Sequence, residues 1–312
     1  MINPILASSA RRRMRSARTP LLITLYGALI FFFGLSMAFG QFANPTISIY
    51  TMSKGMQAYA GMLVIQFAMI LLITPAMTAA SIAGERERQT LDMLLVTNTG
   101  SLRIVAGKLL ESLGYVALLL VAGLPAMCLT LITGGVTLLD VLIGALFLLV
   151  TAFAALSVGI FASALFRRTV TATVMAYLIV FFIGIVTMVP LVLSVLNIGT
   201  NYDAMFISST LGAVSVIGGA DGPTSIEIGA NGFIYSPAMG LMALIEDQTG
   251  MLKDTLRNYS YTMYRINDYL DYGLIKWENM AFMAAAGLVL DLLAACFVRP
   301  REARLHRRNA KK

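Results

Sequence analysis

The sequence predicts an all-α polytopic membrane protein with about six transmembrane helices, and three observations carry that expectation. Only 12% of the 312 residues are charged, against 58% hydrophobic, whereas a soluble domain carries about 25% charged residues. So few charges cannot coat a water-facing surface, and lipid must meet much of the chain. The apolar residues also run in long blocks, and a block of ~20 residues is what a membrane-crossing helix needs. Finally, the arginines and lysines gather beside particular blocks. They account for the net charge of +7 without any nucleic-acid partner, because such clusters mark the cytoplasmic ends of spans.

The first block, Pro20–Gly40, follows Arg11, Arg12, Arg13, Arg15 and Arg18. Its basic flank is like that of a secretory leader, but the apolar run exceeds the ~7–15 residues of a cleaved segment. It reads as an uncleaved first span. The other blocks are Gly55–Ala83, Ile104–Thr133, Leu138–Phe166, Val170–Leu196 and Glu278–Val298. Pro75, Pro125 and Pro190 lie inside spans, where kinks are tolerated if neighbouring groups satisfy the freed backbone.

Orientation follows from the basic residues. The N-terminal arginines, the Arg167–Arg168 pair and the tail containing Arg299, Arg301, Arg304, Arg307, Arg308, Lys311 and Lys312 must share one side. An even number of spans puts both termini there, in the cytoplasm. Residues 1–19, with Ile5, Leu6 and Met14 among arginines, suit a helix lying on an anionic leaflet, or else a basic tail that only sets topology. Residues 20–196 carry the first five spans, with a cytoplasmic segment at 84–98. Residues 197–277 fall on the opposite side as a mildly acidic, partly re-entrant segment whose second half, Glu246–Lys276, reads as fully aqueous. The last span, 278–298, leads into the basic cytoplasmic tail at 299–312.

Little here suggests an enzyme. Cys128 and Cys296 fall inside apolar blocks and read as small apolar residues rather than as a disulfide. His306, the only histidine, sits in the tail, which argues against His-based catalysis and a His-rich metal site. No catalytic or metal-ligating set is expected. Gly100 to Lys108 is superficially like a phosphate-binding loop, but its spacing is wrong and Leu109 stands where a magnesium-binding Ser or Thr belongs.

The stretch Pro75–Thr97 is the most informative. A span runs into Gly84, then come alternating charges at Glu85, Arg86, Glu87 and Arg88, then Leu91, Leu94 and Leu95 at i, i+3 and i+4 on one helical face. Such a helix can lie in the headgroups or fit a partner's groove; the bland alternative is a solvated linker. The segment Ile82-Ala-Gly-Glu-Arg-Glu, then Thr90-Leu-Asp and Leu94-Leu, followed by Gly107-Lys108-Leu-Leu, resembles the signature of ABC type-2 exporter permeases. The resemblance extends to Asn3-Pro4-Ile5-Leu6 and to the span count, and covers most of the chain except residues 208–231. It implies that 84–98 holds a coupling helix, with Glu85, Arg86, Glu87, Arg88, Leu91, Leu94 and Leu95 facing a separate ATP-binding cassette ATPase subunit. It also implies a second permease subunit, identical or paralogous. ATP and magnesium would then sit on the partner ATPase, and this chain itself would hold no cofactor.

Within the spans, Asp291 stands out, because an intramembrane carboxylate usually faces protein or water. Lys108, at comparable depth, is its expected ion-pair partner. Glu111 and Asp140 receive no role. The 19 methionines are either packing filler or the lining of an adaptable apolar pathway.

One further stretch, 211–229, has apolar pieces flanking Gly-Gly-Ala-Asp221-Gly-Pro-Thr. It reads as an interrupted helix with free carbonyls near an acidic side chain, or as a turn held by glycines. It also resembles a motif of the β subunits of sodium-translocating decarboxylases, although Glu227 stands where an apolar residue is usual there. That resemblance implies a candidate sodium site at Asp221, Thr224 and Ser225.

The leading expectation is a permease of the cell membrane exporting a hydrophobic or peptide-like compound. The alternatives are sodium efflux through Asp221, or an ATPase-independent secondary transporter or membrane scaffold. The topology is checked by single cysteines. Those placed at Asp254 and Asn267 should react with an impermeant thiol reagent in intact cells, and one at Asn98 should not; the reverse pattern inverts the orientation.

Overall fold

The computed structural model describes residues 18–42, 49–89, 101–133, 135–195, 214–219, 222–228, 236–250 and 272–298. Its elements are α1 (Arg18–Phe42), α2 (Ile49–Glu87), α3 (Ser101–Thr133), α4 (Leu138–Leu165), α5 (Thr169–Val195), β1 (Val214–Gly219), β2 (Gly222–Ile228), α6 (Pro237–Thr249) and α7 (Tyr272–Val298). Every apolar block of the sequence is therefore a helix. Four described stretches are long and apolar enough to cross a membrane: Gly55–Glu87, Ser101–Leu131, Leu138–Leu165 and Gly273–Val298. The other two blocks contribute the shorter apolar pieces Ile23–Ser36 and Thr169–Ile183. Leu25, Phe32, Leu72, Val121, Leu139 and Leu292 are exposed, as side chains facing lipid would be.

The chain divides into two compact units, residues 1–180 with 284–312, and residues 181–283. In the first, α2 and α4 pack most closely. Thr151, Ala155, Gly159 and Ser163 recur every fourth residue of α4 and form a stripe of small side chains, all buried. Small residues let two helix backbones approach where lipid offers no hydrophobic drive. At Gly159 an added Cβ would collide with Thr78 Oγ1 and stand 3.1 Å from Thr78 Cβ. Nearer the start of α4, a Cβ at Gly144 would meet Tyr59 Oη at 2.7 Å, and that hydroxyl donates to the Asp140 carbonyl at 2.9 Å.

Three hydroxyls of α2 are satisfied within their own helix. Thr74 Oγ1 donates to Ile70 O at 2.7 Å, Thr78 Oγ1 to Thr74 O at 3.1 Å and Ser81 Oγ to Thr78 O at 2.6 Å. Such back-bonding lets hydroxyls enter an apolar interior without orphaned donors. Pro75, which cannot donate to the carbonyl four residues back, is carried inside this run without ending the helix. On the other flank of α2, Tyr26, Ile30, Tyr115, Leu119 and Ala126 join α1 to α3, with Ile65, Met69, Ile73 and Met77 packed against them. The methionines at these positions fill the seam between helices.

The turn into α4 is also locally encoded. Gly135 has φ 91, a conformation that costs a side-chain-bearing residue roughly 1–2 kcal/mol. Thr137 and Asp140 then form a reciprocal capping box, so Asp140 starts a helix.

The second unit departs from expectation twice. Strands β1 and β2 pair antiparallel, with Val214 opposite Ile228, Val216 opposite Ile226 and Gly219 opposite Gly222. The interrupted helix proposed there is thereby corrected: β-branched residues at alternating positions suit a pleated strand, and the ladder engages backbone groups that a broken helix would free. The stretch Glu246–Lys276 is likewise not wholly aqueous. Ser236 caps α6 by accepting from Met239 N at 3.0 Å, Pro237 occupies the first turn, and Gly250 closes the helix at φ 64, each a signal legible in sequence. Glu246 and Lys276 are buried. Lys276 pairs with Asp247 and Asn279 Nδ2 donates to Ser236 O at 2.8 Å, so α7 begins at Tyr272, ahead of the expected Glu278.

Gly159→Leu should lower stability by about 1–3 kcal/mol, the usual cost of overpacking, and Thr78→Ala should restore part of a milder Gly159→Ala loss. Melting temperatures of the detergent-purified variants check both. Wild-type melting for Gly159→Leu would remove the close α2–α4 contact from the account.

Candidate functional site

At one end of the first unit, α2 and α4 finish while α3 and α5 begin. The last turn of α2 carries Glu85, Arg86 and Glu87, and successive side chains of one turn project in different directions. Each finds a different helix. Glu85 Oε1 pairs with Lys108 Nζ of α3 at 2.6 Å. Arg86 Nη1 donates to the Ala164 carbonyl at 3.2 Å, placing a cation on the C-terminal end of α4. Glu87 Oε2 accepts from Thr169 N at 3.2 Å and Thr169 Oγ1 at 2.9 Å, placing an anion on the N-terminal end of α5. Both placements oppose the helix dipoles correctly, and Glu87 supplies the cap that α5 would otherwise need from the residue just before it.

Below this charged turn the packing tightens further. Ser163 Oγ accepts from Ile82 N at 2.9 Å and Ala83 N at 2.8 Å. Ala79, Ala83, Ala162, Ala172 and Ala176 form a buried alanine cluster against which Phe166 packs. A Cβ at Gly84 would meet Thr169 Cγ2 at 3.4 Å. α2, α4 and the start of α5 are thus held together by small side chains beneath and by ionic contacts at the rim. Arg88, Arg167 and Arg168 remain exposed and give the rim a basic character.

Helix α2 ends at Glu87, and Gln89 adopts φ 58, which redirects the chain at a cost of roughly 1–2 kcal/mol. The first residues of the segment expected at 84–98 therefore belong to α2. Leu91, Leu94 and Leu95 lie outside the described residues, as does Asp221. Thr224 and Ser225 lie in β2, Ser225 opposite Ile217, with a register shift that leaves Thr224 between paired positions.

The expected Lys108–Asp291 ion pair does not form. Lys108 sits about two turns into α3, within reach of Glu85, whereas Asp291 contacts Ser157 Oγ at 3.0 Å. Among the described residues no three His, Cys, Asp or Glu side chains gather as a metal would require. Sequence reading missed Ser163, Ala164 and Thr169. Two signals were available: the every-fourth-residue small stripe ending at Ser163, and a threonine placed between a basic pair and an apolar block.

A protein-family model described as ABC-2 family transporter protein matches residues 7–301. No curated protein matches the chain.

If Glu87 caps α5, Glu87→Ala should raise amide hydrogen exchange at the first turn of α5 several-fold while leaving the melting temperature close to wild type. Adding Thr169→Val should increase it little more, since both changes remove the same contact. Unchanged exchange over residues 166–176 would show that the contact does not order that turn.

Proposed function

The chain belongs to the ABC-2 family of transporter proteins, and from that premise we propose that it is the permease subunit of an exporter in the cell membrane. Its cargo would be a hydrophobic or peptide-like compound, moved with ATP hydrolysed on a separate subunit. One observation carries the mechanistic part: three successive residues of α2 each engage a different helix. A displacement delivered to the chain just beyond α2 reaches α3, α4 and α5 together.

In this reading the apolar residues Leu91, Leu94 and Leu95 enter a groove on the ATPase, with the basic rim of Arg88, Arg167 and Arg168 around it. Nucleotide-driven movement of the ATPase pulls on that segment. The clamp prevents α2 from moving alone, and the close contacts of Gly159 and Ser163 make it move as a unit with α4. Two such permease subunits would enclose the cargo path.

Inside-out vesicles containing the chain and its ATPase should accumulate a fluorescent hydrophobic peptide when ATP is supplied. Leu94→Asp buries a carboxylate in the partner groove, which is costly, and should reduce accumulation more than tenfold with ATP hydrolysis retained or uncoupled. Glu87→Ala should reduce it less. Accumulation driven by an imposed ion gradient without ATP would instead make the chain a secondary transporter, and ATP-driven sodium movement lost in Asp221→Asn would make sodium the cargo.

A further inference from the structure

The carboxylate of Asp291 lies deep in the apolar part of α7, 9% exposed, against Ser157 of α4, which is fully buried. Asp291 Oδ2 stands 3.0 Å from Ser157 Oγ, and Ser157 Oγ stands 2.9 Å from the carbonyl of Phe153. Asp291 Oδ1 is buried with no hydrogen-bond partner.

Ser157 has one hydroxyl proton to give. With Asp291 ionised, both of its close neighbours are acceptors, and one proton cannot serve the carboxylate and the carbonyl together. With Asp291 protonated, the chain is complete: Asp291 Oδ2–H donates to Ser157 Oγ, and Ser157 Oγ–H donates to Phe153 O. Both distances fall within the range of O–H···O hydrogen bonds.

Among the described residues no basic side chain pairs with Asp291. The only other titratable side chain of α4 is Asp140, seventeen residues before Ser157, or about 25 Å along the axis. On α7 the others are Tyr272, Lys276, Glu278 and Cys296, and Lys276 is engaged by Asp247. Lys108 is engaged by Glu85. Aromatic packing closes the site on either side. One turn before Asp291, a Cβ at Gly287 would meet Phe153 Cε1 at 2.6 Å; beyond it, Phe161 and Phe297 meet edge to face at 6.2 Å between centroids.

We propose that Asp291 and Ser157 form a proton-binding site inside the membrane-spanning part of the protein, and that the bound proton is what joins α7 to α4. The site lies on the helix whose Gly159 and Ser163 hold α2, so the proton secures the last helix to the same framework that carries the charged clamp. Release of the proton leaves an ionised carboxylate in an apolar setting with no counter-charge among the described residues.

The test uses the purified chain in lipid nanodiscs. Infrared difference spectra of wild type against Asp291→Asn should show the carbonyl stretch of a protonated carboxylic acid at neutral pH, shifted by deuterium exchange and moved in frequency in Ser157→Ala. Asp291→Asn can still donate to Ser157 through its amide, so it should melt like wild type at neutral pH; wild type should melt lower as the medium becomes alkaline, and Asp291→Asn should not. An ionised-carboxylate band in place of the acid band at neutral pH overturns the proposal, and so does an acid band that persists unchanged in Asp291→Asn. If Asp291→Asn fails to fold, the acid band of wild type and its shift in Ser157→Ala decide the matter: absence of either one overturns it.

Discussion

Everything at the charged end of the first unit depends on how closely α2 and α4 approach. The hydroxyl of Ser163 can accept from two successive amides of α2 only because Gly159, one turn earlier, brings the backbones within reach of Thr78. A larger residue at 159 would push the axes apart, and Ser163 and Ala164 would lose their partners together. In a bilayer this constraint is stronger than in water. Lipid tails are as apolar as the helix surfaces, so close backbone contact and interhelical hydrogen bonds must supply the attraction.

On that framework the charges are distributed one to a helix. Surface ion pairs contribute little individually, so Glu85, Arg86 and Glu87 do not stabilise the fold mainly by number. Their effect lies in direction, because they bind α3, the end of α4 and the start of α5 to a single turn of α2. Two of the three contacts use helix ends, where backbone groups lack intrahelical partners and carry partial charge. A short turn between α4 and α5 offers one end of each sign side by side, and the Arg86–Glu87 pair matches them in order. Asp291 obeys the opposite rule. About two turns inside the end of α7 and unpaired with any described cation, it is held by a hydroxyl in an aromatic frame.

The second unit shows the same economy with different parts. Its α6 is bounded by a serine cap and a glycine stop, and Lys276 meets Asp247. That ion pair lets Lys276 be buried near the start of α7, which lengthens the last helix beyond what its charge suggests.

The sequence by itself determined the helical blocks and the run of charges at the end of α2, because those properties are local: apolar run length and the Glu85–Arg88 alternation. Helix caps at Thr137 and Ser236 were equally local, since a cap needs only its own next few residues. Partner choice was not. Lys108 could be assigned to Asp291 from depth in the membrane, but depth says nothing about azimuth, and the rotation of α3 turned it to Glu85. The strands at 214–228 were missed because glycine-flanked apolar pieces suit a broken helix or a hairpin, and only cross-strand pairing separates the two. That Glu87 reaches Thr169, and Ser157 reaches Asp291, was decided by tertiary structure alone. Both contacts join residues distant in sequence, and the small-residue packing of α2, α4 and α7 sets which of them can touch.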